Sequence, residues 1–275
     1  KGQWTDPCEK PQSLFKGNEF KFLNKSHKIS EKKDWNDDVL SKLWLYNLHY
    51  FDDLNGYDSD LRKNWHVNYI GSWIRENEPG FGAGWEPYPV SLRIVNWIKW
   101  CLSNNTSKEQ TLLSLNIQAR YLIKNLENHL LGNHLFANAK ALIFSGLYFK
   151  GDEPDTWFKL GIDILIRELE EQVGQDGGHF ELSTMYHSIF LEDLLDIVNL
   201  LNTFKKPLTQ NLLKKIKLMH TWLEAMTHPD GDISFFNDSA LGIASRISSI
   251  NSYMDRLNIK YSTSKQNLLI LDTSG

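Results

Sequence analysis

Cysteine is nearly missing from this sequence. Cys8 and Cys101 are the only two in 275 residues, too few for a disulfide framework or for a zinc site built on cysteine. No run approaches the ~18 unbroken apolar residues that a membrane-spanning helix needs. Positive charge is not in excess either: 30 Lys and Arg stand against 34 Asp and Glu, a formal net charge of −4. That balance excludes a globally basic nucleic-acid binder, though not a local basic cleft. There is no HExxH, no GxSxG elbow, no dinucleotide fingerprint and no glycine-rich phosphate loop, and the nine histidines show no metal-ligand spacing. The expectation is a chain with no metal, no cofactor, no nucleic-acid partner and no membrane span. It starts at Lys1 without Met or a charged-then-apolar leader, so any signal peptide is expected to have been removed.

What the sequence has in quantity is aromatic: 10 Trp, 10 Tyr and 14 Phe, far more than a disordered chain carries. Such an excess fills cores or provides platforms on which sugar rings stack, and composition alone favours the core. Residues 1–36, polar and rich in Lys and Asn, show little periodicity and read as an irregular arm lying over the domain. From residue 37 the texture becomes helical. Leu61, Trp65, Tyr69, Ile70, Trp73 and Ile74 mark one helix face. Leu112, Leu115, Ala119, Leu122, Leu126 and Leu130 mark another over about five turns. Trp157, Leu160, Ile164, Leu165, Leu169 and Val173 form a third, with Pro154 suited to its first turn. Two more follow, Ile189 to Leu201 and Leu212 to Met226.

About eight helices are expected between 38 and 258, and strand-like alternation is convincing only in the terminal NLLILD (267–272). The fold class is all-α. Short connections force antiparallel pairs, and because no repeat of fixed period is present, an incomplete (α/α) toroid over 37–260 is preferred to a regular solenoid. A helical body that breaks off at one strand suggests truncation.

Three loops are unlike ordinary connectors. EPGFGAGWEPYP (78–89) presents Trp85, Glu86 and Tyr88 on a segment bracketed by glycine and proline, either as aromatic plugs or as a sugar-binding wall. In LGNHLFAN (131–138), Gly132 is placed to end one helix and Asn133 to cap the next. His134 beside it is harder to assign to structure, because Asn and His at a helix start can hydrogen-bond a carboxylate. QDGGHFELSTMYH (175–187) brings His179, Glu181, Tyr186 and His187 to the start of a helix. A Tyr beside a cationic or amide cluster has its hydroxyl pKa lowered and serves as acid or base; alone, it is more often packing. Glu86 and Glu181 are the carboxylate pair that a glycosidase would use.

The runs WEPYPVSLRIVNWIKW (85–100), HLLGNHLFANAKALIFSGLYFKG (129–151) and DGGHFELSTMYHSIFLEDLLDIVN (176–199) closely resemble the heparinase II/III-type polysaccharide lyases, relatives of certain alginate lyases. The resemblance covers roughly residues 40 to 240. It implies an N-terminal (α/α) toroid followed by a C-terminal antiparallel β-sandwich, of which 261–275 would be the start. It also implies cleavage of a uronate-bearing acidic polysaccharide by β-elimination without a redox cofactor, and a periplasmic or secreted location. A structural metal and a further histidine would belong to the missing sandwich domain.

Carried over residue by residue, Asn133 resembles the carboxylate-neutralising Asn. His134 resembles a neighbour with the same role or that of a base, and Tyr186 the catalytic acid and base. Trp85, Glu86, Tyr88, Arg93, His179, Glu181, His187, Asn237 and Asp238 are expected substrate contacts, the last two with ordinary turn chemistry as the alternative. Arg62, Arg93, Lys99 and Lys140 are candidates for a basic lining. Two other readings stay open: a glycan-binding or polymer-assembly module without turnover, and a hydrolase using Glu86 and Glu181.

Overall fold

The computed structural model describes residues 2–106, 108–130 and 132–261, so the NLLILD run and the expected start of a sandwich lie outside the described residues. The described chain is mostly helical. It forms two compact units, one of residues 9–165 and one of 2–8 with 166–261, where a single body over 37–260 was expected.

The first unit opens on a three-stranded antiparallel meander, a correction to the irregular arm: β1 (Leu14–Phe15), β2 (Glu19–Phe22) and β3 (Lys25–Lys28), in that order. The β2–β3 turn places Leu23 and Asn24 both at positive φ, 51° and 59°. Tight hairpins need that geometry, and sequences usually advertise it with Asn-Gly rather than Leu-Asn, which is why the strands were missed.

Helices α1 (Lys42–Tyr50), α2 (Lys63–Glu76), α3 (Pro87–Ser103), α4 (Glu109–Leu122) and α5 (Asn133–Tyr148) follow, and the first part of α6 (Asp152–Gln172), to Leu165, completes the unit. Ser41 caps α1 by accepting from the Trp44 N–H, and Pro87 opens α3, where its missing N–H costs nothing. α3 is buried on nearly every side and packs most extensively on α5. On α5, Gly146 lets the α6 backbone approach so closely that an added Cβ would sit 2.5 Å from the Phe158 nitrogen.

Much of the aromatic excess, seven of the ten tryptophans included, is buried in this unit. Phe51 stacks on Tyr69 at 3.9 Å, Trp35 stacks on the same ring at 5.6 Å, and Trp73 meets Trp97 edge-on at 5.6 Å. Two helix faces differ from their periodicity. Leu61 and Trp65 are exposed, and His66 takes a core position instead. The Leu112–Leu130 pattern overruns α4, which ends at Leu122 with the Asn125 amide donating to the Tyr121 carbonyl. Leu126, beyond that end, still packs against Leu135, Ala139 and Ile164 from an irregular segment.

In the second unit α7 (Thr184–Thr203) is likewise buried almost all round, and α8 (Gln210–Ala225) and α9 (Ile247–Arg256) pack against it. The Asn199 amide donates to the Thr5 carbonyl at 2.7 Å and to the Tyr253 hydroxyl at 2.9 Å, pinning the N-terminal residues to this unit.

One buried carboxylate ties the meander to the helices of the first unit. Asp53 accepts from the N–H groups of Ser13 (2.7 Å) and Leu14 (2.9 Å) and from the Arg62 guanidinium (3.0 and 3.2 Å), and sits 2.9 Å from His66 Nε2. Burial alone would raise its pKa, but hydrogen bonds from His66, Arg62, Leu14 and Ser13 hold it below the ordinary carboxylate range. Its contribution to stability is therefore full above about pH 4 and is lost as pH falls through the depressed folded value. Asp53→Ala leaves Arg62 buried without its partner and should lower the urea-unfolding free energy by about 3–5 kcal/mol. A loss under about 1 kcal/mol would contradict this role.

Candidate active site

In the first unit the site residues gather where α3 and α5 begin. Gly132, at φ 88°, is the N-cap of α5 rather than the end of the preceding helix, and no side chain caps α5 there. Asn133 is the first residue inside the helix. Its amide is not used as a cap but donates to the Tyr88 hydroxyl at 3.2 Å. His134 packs its ring 4.5 Å from that of Tyr88 and places Nδ1 2.9 Å from Glu127 Oε1. Tyr88 also meets Tyr50 edge-on at 5.9 Å. The start of α5 thus presents an amide, an imidazole and a phenol together, with the positive end of a 16-residue helix behind them.

Glu86 lies on the same segment as Tyr88, and its carboxylate is already engaged. Lys42 Nζ is 2.9 Å away and the Tyr46 hydroxyl donates to it. Burial and then the hydrogen bond to Glu86 push the Tyr46 phenol up to about 12, so it stays protonated. Glu86 is consequently the centre of a small ion-pair cluster rather than a free acid.

Two expected contacts here are corrected by burial. Trp85 is 3% exposed, packing 5.7 Å from Trp73. Arg93 is fully buried, donating to Gln118 Oε1 and the His49 carbonyl with its guanidinium 3.8 Å over Trp73. The expected basic lining fails for the same reason, since Arg62, Arg93, Lys99 and Lys140 are all buried.

In the second unit, Ser183 caps α7 by accepting from the Tyr186 N–H at 3.2 Å, which sets Tyr186 in the first helical turn. The Ser183 hydroxyl also reaches the Asp238 carbonyl at 2.9 Å, and the Asn237 amide donates to the carbonyls of Glu181 and Leu182, both at 3.1 Å. Two loops distant in sequence are stitched together around the tyrosine. Tyr186 is half-buried and its pKa is raised, first by burial and then by the charges of Asp238 and Glu181 and a hydrogen bond to Asp238. That reverses the expected lowering: its charged neighbours are carboxylates, and they hold the phenol protonated. Glu181 is itself raised by burial and by Asp238.

His179 and His187 are not surface contacts. The His187 ring stacks on Trp222 at 4.4 Å; its Nδ1 accepts from the His179 N–H and its Nε2 donates to the Met219 carbonyl. The His179 ring sits 3.0 Å from Gln172 Oε1. Burial lowers both to about 4, so they are neutral structural side chains. Asn237 is likewise a loop tie, the turn-chemistry alternative. Among the described residues no cluster of three or more His, Cys, Asp or Glu could hold a metal ion, and no helix is long and apolar enough to cross a membrane.

The structure therefore brings together Tyr88, Asn133 and His134 in the first unit, and Glu181, Tyr186 and Asp238 in the second. It adds Glu127, Asn138, Ser91, Lys42 and Tyr46, which no motif announced. Glu127 and Asn138 flank the recognisable NH pair in sequence, but only the fold brings Glu127 to His134 and Asn138 to Glu127.

Comparison with known proteins agrees with this architecture. The fold is shared with crystal structures of Heparinase III (TM-score 0.63, 20% identity, 86% of this chain and 39% of that one) and of the heparan sulfate lyase HepC from Pedobacter heparinus (TM-score 0.57, 22% identity, 79% and 38%). In sequence, the chain is 32% identical to a heparin-sulfate lyase of Bacteroides stercoris over 173 residues, which is 57% of this chain and 25% of that protein. It is 27% identical to a heparin-sulfate lyase of Pedobacter heparinus over 202 residues, 66% and 29%. Residues 15–265 match the Heparinase II/III N-terminus family, and the chain belongs to it. It spans about a quarter of the length of the curated relatives it matches.

Because His179 and His187 are neutral when folded and ordinary when unfolded, their folded values of about 4 lie below the unfolded value near 6.5. Stability present above about pH 6.5 should be lost as pH falls toward 4, with a total on the order of a few kcal/mol. Denaturant midpoints measured across that window should fall, and His187→Gln should flatten part of the slope. A flat wild-type profile between pH 6.5 and 4 would contradict the assignment.

Proposed function

We propose that this chain is the helical part of a lyase that cleaves a heparan-type, uronate-bearing polysaccharide by β-elimination. The helices are read as an incomplete (α/α) toroid, with a β-sandwich domain completing the cleft, and the reaction needs no redox cofactor. The observation that carries the reading is the start of α5, where Asn133 and His134 are released from capping and presented beside Tyr88 at an electropositive helix end. The kinship to proteins named heparin-sulfate lyases supports the choice of a heparan-type substrate over an alginate or capsular one.

The chemical obstacle is the weak acidity of the proton at C5 of the uronate. An amide and an imidazole on the carboxylate, aided by the helix dipole, stabilise the charge that develops when that proton leaves. The C5 proton passes to a base, in this scheme the further histidine that the β-sandwich domain would bring; the freed electron pair forms the C4–C5 double bond, the C4–O4 bond breaks, and the departing oxygen takes a proton. Tyr186 is the donor in this scheme, and the carboxylates that keep its phenol protonated suit it to that step.

The test is ultraviolet detection of the unsaturated uronate, on this chain and on any longer form that contains it, over a panel of acidic polysaccharides. Tyr186→Phe keeps the ring and loses only the proton, so turnover should vanish while folding is kept. Asn133→Ala should lower kcat by about 100- to 1,000-fold, the cost of one charge-stabilising donor. Unchanged turnover in Tyr186→Phe would refute its role. New reducing ends without ultraviolet absorbance would favour a hydrolase, and binding without turnover would favour a glycan-binding module.

A further inference from the structure

Beyond the residues that would touch substrate, the structure holds a chain of buried polar groups ending on one nitrogen of His134. Glu127 is 7% exposed, yet both carboxylate oxygens are used: Oε1 lies 2.9 Å from His134 Nδ1, and Oε2 accepts from the Asn138 amide at 3.0 Å. Asn138 is fully buried. Its carbonyl oxygen accepts from the Glu127 N–H at 2.9 Å, and its amide also donates to the Ser91 hydroxyl at 3.0 Å. Ser91 in turn donates to the Pro87 carbonyl at 2.9 Å, within the first turn of α3. A carboxylate has no proton of its own to give, so at Nδ1 it can only accept, and the imidazole must carry its hydrogen there.

We propose that Glu127 is the positioning residue for His134, fixing the ring as the Nδ1–H tautomer and leaving Nε2 as the atom presented to the uronate. The assignment rests on the lyase reading only for what Nε2 meets; the tautomer follows from the geometry alone. Nε2 makes no hydrogen bond among the described residues, and the side chain is 33% exposed, so a ligand can reach it. With its lone pair free, Nε2 can take a proton. Once it bears one, it hydrogen-bonds a carboxylate with a full positive charge that Glu127 balances from behind. Asn138 and Ser91 keep the Glu127 carboxylate from rotating away, and the Tyr88 ring closes one face of the imidazole. The same phenol takes the Asn133 amide, so both proposed carboxylate-binding side chains are oriented by one small network.

The test combines a spectroscopic and a kinetic measurement. In mildly alkaline buffer, nitrogen-15 shifts of histidine-labelled protein, with His134 assigned by loss of its signal in His134→Gln, should show a proton on Nδ1 and a bare Nε2. In Glu127→Ala the proton should move to Nε2, the form favoured by a ring without such an acceptor. Glu127→Gln, whose side-chain carbonyl still accepts, should keep the wild-type tautomer and remains informative if the Ala variant does not fold. Turnover should fall on the order of 10- to 100-fold in Glu127→Ala, mainly in kcat, as for other partners that orient a working histidine.

A proton on Nε2 in the wild type, or a tautomer indifferent to Glu127→Ala, would overturn the proposal. If the tautomer follows Glu127 and no variant or wild type cleaves any uronate polymer, the positioning stands and the lyase reading is what fails.

Discussion

The first unit depends on the burial of α3 from all sides. A helix enclosed in this way must find a partner inside the protein for every polar side chain it carries, because no water is there to serve. Most such demands are met by a neighbour that the fold needs for another reason, while Arg93 Nη2 and Trp97 Nε1 stay without a hydrogen bond among the described residues. Asn96 donates to the Tyr50 carbonyl and to Asp52, holding the end of α1. Arg93 takes Gln118 from α4 and the His49 carbonyl from α1. Ser91 takes the Asn138 amide, and through it Glu127 and His134. The candidate site is the exposed end of this interior network. Its most accessible imidazole is oriented by groups that cannot move without leaving a buried donor or acceptor unpaired, at a cost of about 1–3 kcal/mol each.

The two groups of candidate residues, one in each unit, are electrostatically unlike. In the first unit the start of α5 and the Asn133 amide offer donors and positive potential, the environment for an anion, and His134 joins them once its Nε2 has taken a proton. In the second, Tyr186 stands among Glu181 and Asp238, which keep its proton on. An elimination needs both kinds of environment: one to stabilise charge appearing on the uronate, and one to deliver a proton to the leaving oxygen. Buried Arg93 and the histidines at 179 and 187 contribute to neither directly. They hold the scaffold, Arg93 through its contact with Trp73, and the two histidines through the docking of the 175–187 loop on α8.

Much of this was legible in the residue pattern, and where it was not the reason is specific. Helix periodicity located α6, α7 and α8 because each buries a continuous apolar stripe. It overran α4 because Leu126 keeps the helical spacing while packing from an irregular segment, and spacing cannot tell the two apart. The meander was invisible because its turn uses Leu-Asn at positive φ. Asn133 and His134 were recognisable as a pair by motif. Trp85, Arg93, His179 and His187 were misjudged as contacts because a chemically versatile side chain looks the same in a sequence whether it lines a cleft or satisfies a core.

By itself the sequence determined the helical class, the kinship to heparinase-type proteins and the identity of the Asn, His and Tyr on which the proposed chemistry turns. These follow from local periodicity and from contiguous motifs, which require no knowledge of what lies across the fold. Only the tertiary structure decided that Asn133 is released from capping, that Tyr186 is surrounded by carboxylates rather than cations, and that Glu127 governs which nitrogen of His134 is free. Those are properties of groups brought within 3 Å or so by packing, where the strength and sign of an interaction depend on distance and burial, neither of which a linear order of residues contains.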